Sequence, residues 1–432
     1  MSLPRARLAA YCTLAAPLAM LTLPVYVHVP KLYAEHYGLG LATQGVLLVA
    51  ARALDAFVDP LLGLASDRAR ARGLDRRLFL LGGAPLLALA AWGLFAPPAA
   101  VLPHVATWFF AMLVLVYSAL ALVQVSHYAQ GAELTLDATE RTRVTALRET
   151  FALAGVLAGA ALPTWLTGTH GATSGYAWFA LLTCGALGIG ALACALGAPP
   201  AVAPPPRAAA LDYASLLRPL KVREARRLYA LQLVNGVANA VPATVVLFFV
   251  EDQIGRPALA GAFLGAYFLA GALSMPLWPW LARRIGKPRA WLCGMLGAIA
   301  AFAWALLLGP GDVGPFFAVC LLSGITLGAD LALPPALLAD AIDGERLRGL
   351  GYPAGAWFGL WALVNKLALA LAAGLALPLL TAGGYALGQG ATVALPLVYA
   401  LLPCVLKALT ALWLWRTFTT PRSLTLDATP CP

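Results

Sequence analysis

The sequence predicts an all-α membrane protein with twelve transmembrane helices in two six-helix bundles, and three observations carry that prediction. Of 432 residues, 61% are hydrophobic and only 11% charged, whereas soluble domains are about a quarter charged. That composition excludes a soluble enzyme. Uncharged apolar runs recur between short charged or Pro/Gly-rich breaks, and at about 20 residues per crossing the chain has room for roughly a dozen. One longer Pro-rich and charged stretch divides the runs into two sets of six.

The first set falls near 8–29, 42–66, 78–96, 103–132, 147–167 and 175–196, each long enough to cross a bilayer. Arg5 and Arg7 before the first run imitate a signal peptide, yet the run continues to about Val29 and many follow, so a retained helix is expected. The dividing stretch, 197–227, holds Pro199, Pro200 and Pro204 to Pro206, then Lys221-Val-Arg-Glu-Ala-Arg-Arg, and reads as a linker. The second set falls near 228–250, 258–282, 290–308, 315–339, 352–380 and 392–415. The expected organisation is an N-terminal bundle over 1–196, a cytoplasmic linker over 197–227, a C-terminal bundle over 228–415 and a cytoplasmic tail over 416–432.

Orientation follows from the basic residues. Twenty-four of the 29 Lys and Arg fall in alternate connections on one side, which include both termini; only Lys31 and Arg256 fall on the other. This asymmetry places both termini in the cytoplasm of a bacterial-type inner membrane. The net charge of +10 is then a topology signal, and no nucleic-acid partner is expected. The expected partners are membrane lipid and a small-molecule solute, with the chain acting as a monomer. Seven scattered cysteines without CxxC spacing support neither a disulfide framework nor a zinc site. An even number of helices in two halves with a cytoplasmic linker is the layout of a transporter that rocks two bundles about a central site.

Charged side chains inside spans cost about 3 kcal/mol each on insertion scales, so they are the strongest functional clues. The second span carries Arg52-Ala-Leu-Asp55-Ala-Phe-Val-Asp59-Pro60-Leu-Leu-Gly63. Spacings of three and four put Arg52, Asp55 and Asp59 on one helix face, and two carboxylates four residues apart can bind a small cation or share a proton. The alternative is a structural ion pair with Arg52 or with a lysine of the other half. Lys366, near the middle of the eleventh span, can hold an anionic group, neutralise the helix acids or serve structurally; Trp357 and Trp361 form a stripe one turn apart beside it. On the fourth span Gln124, His127 and Tyr128 share a face, either to hydrogen-bond a solute and relay a proton or as polar glue between helices. Asp330 in the tenth span is a candidate for a cavity wall, while Asn235 and Asn239 share a face and read as packing residues and Lys407 as one that snorkels or pairs structurally. No nucleophile–base or metal-ligand cluster stands out, so no enzyme is expected, and no cofactor beyond a coupling H⁺ or Na⁺.

These residues together resemble the glycoside–pentoside–hexuronide:cation symporter family, the melibiose-carrier-like branch of the major facilitator superfamily. The resemblance rests on Asp55-Ala-Phe-Val-Asp59-Pro60-Leu-Leu-Gly63, on Glu133-Leu-Thr-Leu-Asp137-Ala-Thr-Glu140-Arg141 with Arg148-Glu-Thr-Phe151, on Leu338-Ala-Asp340-Ala-Ile-Asp343, and on Lys366. It implies the major facilitator fold, coupling-cation carboxylates at Asp55 and Asp59, and a lysine across the cavity at Lys366. The basic turn with Asp67 and Arg68 is similar to the superfamily's signature loop, and Arg141, Arg148 and Asp340 correspond to a cytoplasmic gate. Where the melibiose carrier completes its sodium site and its sugar site, this chain has Val58, Ala121, Ala19 and Gln124, which shifts weight towards proton coupling and away from a melibiose-like galactoside. The expected function is cation-coupled symport of a small organic solute by alternating access. A melibiose-type sugar, a lysolipid or amphipathic anion, and a non-transporting membrane sensor are the alternatives.

Overall fold

The computed structural model describes residues 3–204, 216–347, 352–385 and 393–419. Parts of the expected linker (205–215) and tail (420–432) lie outside the described residues. The described residues are helical throughout apart from their connections and form two compact units: Met1–Val222 with Leu338–Leu363, and Arg223–Leu337 with Val364–Pro432.

In the first unit the helices are α1 (Arg5–Cys12), α2 (Ala15–His36), α3 (Leu41–Ala71), α4 (Arg77–Phe95), α5 (Val105–Glu133), α6 (Ala138–His170), α7 (Ala172–Gly197) and the single turn α8 (Arg218–Lys221). The second unit holds α9 (Arg223–Phe248), α10 (Ala260–Ser274), α11 (Leu277–Ile285), α12 (Lys287–Ala303) and most of α13 (Val313–Leu347) and α14 (Ala354–Ala382). It closes with the turn α15 (Ala394–Pro396) and α16 (Leu402–Leu414), joined by a π-helical turn over Leu397–Leu401. Eleven segments among the described residues are long and apolar enough to cross a membrane. To these α3 adds 31 residues, about 46 Å at 1.5 Å per residue against a hydrocarbon core of about 30 Å.

Three expected boundaries are corrected. The first span is two helices meeting at Thr13–Leu14, and the second of them runs on to His36 through Pro24 and Pro30. The span expected at 258–282 is interrupted at Met275–Pro276, and Gly286, at φ +86°, ends α11 so that α12 can start at once. The largest correction is α6, which starts at residue 138 rather than 147. Asp137 caps it by accepting from the amides of Thr139 (2.7 Å) and Glu140 (2.9 Å), so Arg141 and Arg148 stand on a helix and not in a loop.

Each unit has its own core. In the first, Leu87, Leu94, Phe95, Phe109 and Phe179 pack between α4, α5 and α7. Gly155 and Gly159 let α6 lie against the α2 backbone, since a Cβ at either would overlap the carbonyls of Ala16 or Met20. In the second, aromatic rings dominate: Phe249 stacks on Tyr399 at 4.1 Å between centroids, and Phe263 meets Phe316 edge-on at 4.6 Å. The outer faces are apolar as well; on α3, Leu54, Phe57 and Leu61 are all exposed, Phe57 to 75%. Such a surface would aggregate in water and is the surface a bilayer requires.

Candidate functional site

The outward face of α3 fixes what its other face must carry. With Leu54, Phe57 and Leu61 outside, Asp55 and Asp59 turn inward and are 7% and 1% exposed. Arg52 shares their face by spacing but is exposed, so the three charges do not occupy one environment. Pro60 interrupts the ladder beside them: it has no N–H, so the carbonyl of residue 56, between the two acids, lacks the helical donor that position would supply.

Just below the acids, α3 meets the start of α14. A Cβ on Gly63 would overlap the Gly355 carbonyl, and one on Gly355 would overlap the Gly63 carbonyl. A Cβ on Gly359 would fall 2.7 Å from the Asp59 carbonyl oxygen and 3.0 Å from Pro60 Cα. Gly355 and Gly359, four apart, therefore form the seam through which α14 touches the backbone of an acid-bearing turn. Trp357 and Trp361 on the same stretch are buried.

The signature-like turn is built around a residue whose place in the sequence marks it only as a topology charge. Asp67 pairs with Arg76 (2.6 Å), and Arg76 also bonds Glu133 (2.8 and 3.1 Å) and the Ser66 hydroxyl (2.6 Å). All four are buried. Asp67 further accepts from the amides of Gly355 (2.8 Å) and Ala356 (2.7 Å), in the first turn of α14, where the helix dipole favours an anion. Burial alone would lower the Arg76 pKa, but the Glu133 and Asp67 carboxylates more than offset it and hold the guanidinium above its ordinary value.

A second arginine centre lies on α6. Arg141 donates to Asp340 (3.1 Å) and Asp343 (2.5 Å) and, through Nε, to the Thr135 carbonyl (3.1 Å). Arg148 has other partners: it bonds Glu149 (2.6 Å) and lies 3.8 Å over the Tyr128 ring. Tyr128 in turn receives a hydrogen bond from Gln124 at 3.4 Å. His127 is turned away from this group; it is fully buried, its Nε2 sits 2.9 Å from the Tyr11 carbonyl, and its ring lies against Tyr11.

In the second unit Lys366 stands half-buried in mid-helix on α14, next to Asn365, which accepts from Gln232 (2.8 Å). Asp330 is the centre of a separate polar knot. Its Oδ1 accepts from Asn235 (3.0 Å) and Trp291 (2.8 Å), and its Oδ2 from Asn239 (3.1 Å) and Lys407 (2.6 Å); Lys407 also donates to Asn239 Oδ1 at 2.7 Å. Asp330, Asn239 and Lys407 line a cavity of the second unit. Reading Asn235 and Asn239 as packing residues missed this knot, whereas Lys407, read as snorkelling or pairing structurally, pairs with Asp330. The available signal was the pairing of one embedded acid with one embedded lysine that had no other assigned role.

Comparison with known proteins agrees with this architecture. The inner membrane symporter YicJ of Escherichia coli (strain K12) is 25% identical over 379 residues, covering 84% of this chain and 79% of its own. The human sodium-dependent lysophosphatidylcholine symporter 1 is 24% identical over 351 residues, 72% of this chain and 63% of its own. The crystal structure of the E. coli fucose:proton symporter FucP superposes with a TM-score of 0.71 at 15% identity, over 94% of this chain and 97% of that one, which establishes the major facilitator fold. The sequence pattern of the MFS/sugar transport protein family matches residues 8–420, and the chain, a multi-pass membrane transporter, belongs to that family.

Proposed function

We propose that the protein is a secondary active symporter that couples the movement of H⁺ or Na⁺, bound at Asp55 and Asp59, to the movement of a small organic solute by alternating access. The observation that carries this reading is the burial of both carboxylates, four residues apart, on one face of a membrane-spanning helix. Two ionised carboxylates in that setting repel each other and lack water. A cation or a proton relieves both penalties, and the carbonyl freed by Pro60 offers a further oxygen to a metal cation. Neutralisation at Asp59 is felt directly by α14 through Gly359, and α14 carries Lys366, which we assign to the solute side. Gln124, Tyr128, Trp357 and Trp361 supply further solute contacts in this proposal; Asp67, Arg141, Arg148 and Asp340 act as the cytoplasmic latch. The Lys/Arg asymmetry supports an inner-membrane protein with both termini cytoplasmic.

A sugar is the first solute class to test, because the family is described by sugar transport. A lipid-like or amphipathic anion is the second. It is favoured by α1 and the start of α2, where Ala19 and its neighbours offer few hydrogen-bonding groups to a polyol, and by the lysophosphatidylcholine relative.

Uptake into proteoliposomes under an imposed H⁺ or Na⁺ gradient tests the coupling assignment. Asp55→Asn and Asp59→Asn are each expected to abolish gradient-driven accumulation while sparing exchange of preloaded solute. Unchanged accumulation in both variants refutes the assignment.

A further inference from the structure

The cavity of the second unit has an uneven wall. Most of it is apolar, with Pro242, Phe263, Phe302 and Tyr399 among its residues; polarity is concentrated where Asn239, Asp330 and Lys407 meet. The Ser323 and Thr326 hydroxyls, also on the wall, donate back to α13 carbonyls at 2.6 and 2.7 Å, which commits their protons to the helix.

The valences at the polar end decide what it can bind. A carboxylate has about four lone-pair sites, and Asp330 accepts four hydrogen bonds, two on each oxygen. It has no site left for a ligand cation or hydroxyl. An ammonium has three donors, and Lys407 directs two of them to Asn239 and Asp330. The Asn239 amide uses one of its two N–H groups, on Asp330. The donors that remain at this end therefore belong to a cation and an amide, with the Tyr267 hydroxyl also on the wall, while the balancing anion is enclosed by its own partners. An acceptor is complementary to this end of the cavity, and an oxyanion is the best of the acceptors because a charged hydrogen bond is about twice as strong as a neutral one. The aromatic remainder suits an apolar body.

We propose that this cavity is a ligand site for an amphipathic molecule with an oxyanion head, a carboxylate or a phosphate ester, held by Lys407 and Asn239 with its apolar body against Phe263, Phe302 and Tyr399. The site lies wholly within the second unit and is independent of the coupling carboxylates on α3. Its occupancy is thus a binding event that can be read without transport.

The test is calorimetric titration of the full-length protein in dodecyl maltoside with octanoate, octyl phosphate and octylammonium. Octanoate, octyl phosphate or both are expected to bind saturably at one site, with octylammonium at least tenfold weaker. Lys407→Met is expected to weaken binding tenfold or more. Ala298→Phe, which adds a ring to the cavity wall while leaving the Lys407–Asp330 pair unsubstituted, is expected to do the same and serves as the deciding variant if Lys407→Met does not fold. Asp59→Asn is expected to leave binding unchanged, so a failed coupling assignment would not be mistaken for a failed site. Equal binding of octylammonium, survival of binding in Ala298→Phe, or its loss in Asp59→Asn overturns the proposal.

Discussion

Arg76→Met removes the one guanidinium that joins Asp67, Glu133 and Ser66 while keeping most of the side chain's length and apolar contact. Arg76, Asp67 and Glu133 are each no more than 1% exposed, so water cannot replace the lost charge. Asp67 would keep the two α14 amides, but Glu133 would keep only Arg70, at 3.6 Å. Breaking a buried pair by deleting one partner costs about 3–5 kcal/mol, and here one deletion takes a cation from two carboxylates at once. The sign of the pH response follows. Acidification neutralises a carboxylate that has lost its cation, so the variant's deficit relative to the parent should shrink as pH falls. Adding Glu133→Gln to Arg76→Met should likewise restore part of the loss. Equilibrium unfolding of purified protein across pH measures all three. A deficit under about 1 kcal/mol, or one that does not respond to pH or to Glu133→Gln, would refute the account of a buried cation balancing two acids.

Two smaller perturbations separate capping from stacking on α6. Asp137→Ala removes the two N-terminal bonds and should cost about 1 kcal/mol in the same unfolding measurement, with Asp137→Asn closer to the parent. Arg148→Lys retains the charge beside Glu149 but loses the planar stack over Tyr128; a loss of about 0.5–1 kcal/mol is expected, and in the Tyr128→Leu background the same substitution should cost much less.

The parts of the fold that were legible in the sequence are those set by composition. The apolar runs follow from the exclusion of charge from lipid, and among the described residues eleven helical segments are long and apolar enough to cross a membrane. What the sequence hid were places where local chemistry overrides hydropathy. Residues 138–146, with Glu140, Arg141 and Arg143, read as a connection by hydropathy, yet they form the first turns of α6, because Asp137 starts the helix and Arg141 finds acids to pair with. Proline-containing runs read as single spans, although the chain breaks at Thr13–Leu14 and at Met275–Pro276. In the candidate site, the acids on α3 were readable because their spacing is local. Arg76 was not, because it is defined by a partner far away in the chain, Glu133, 57 residues on; for Lys407 a structural pairing was readable but not its partner, Asp330, 77 residues back. A basic residue counted for topology and one buried in an ion network look the same in a single sequence.

The glycine seam connects these levels and can be tested by one methyl group. Gly359→Ala places a Cβ where it would lie 2.7 Å from the Asp59 carbonyl oxygen, closer than real Cβ contacts come, and that neighbour is backbone with no rotamer to yield. Either α14 moves off α3 by a few tenths of an ångström or the Asp59–Pro60 turn is displaced. Both change the geometry of the proposed cation site without altering its charge or chemistry. Position 359 is in mid-helix, where alanine is favoured over glycine by about 1 kcal/mol, so lost helix propensity cannot explain a defect. The expected result is a folded protein whose uptake needs a higher H⁺ or Na⁺ concentration for half-activation, while its maximal exchange of preloaded solute stays within about twofold, less than the tenfold that 1.4 kcal/mol would produce. The dependence of uptake rate on cation concentration measures the shift. An unchanged half-activation concentration would mean that the α3–α14 contact packs the helices without transmitting anything from Asp59, and that the coupling runs through other contacts.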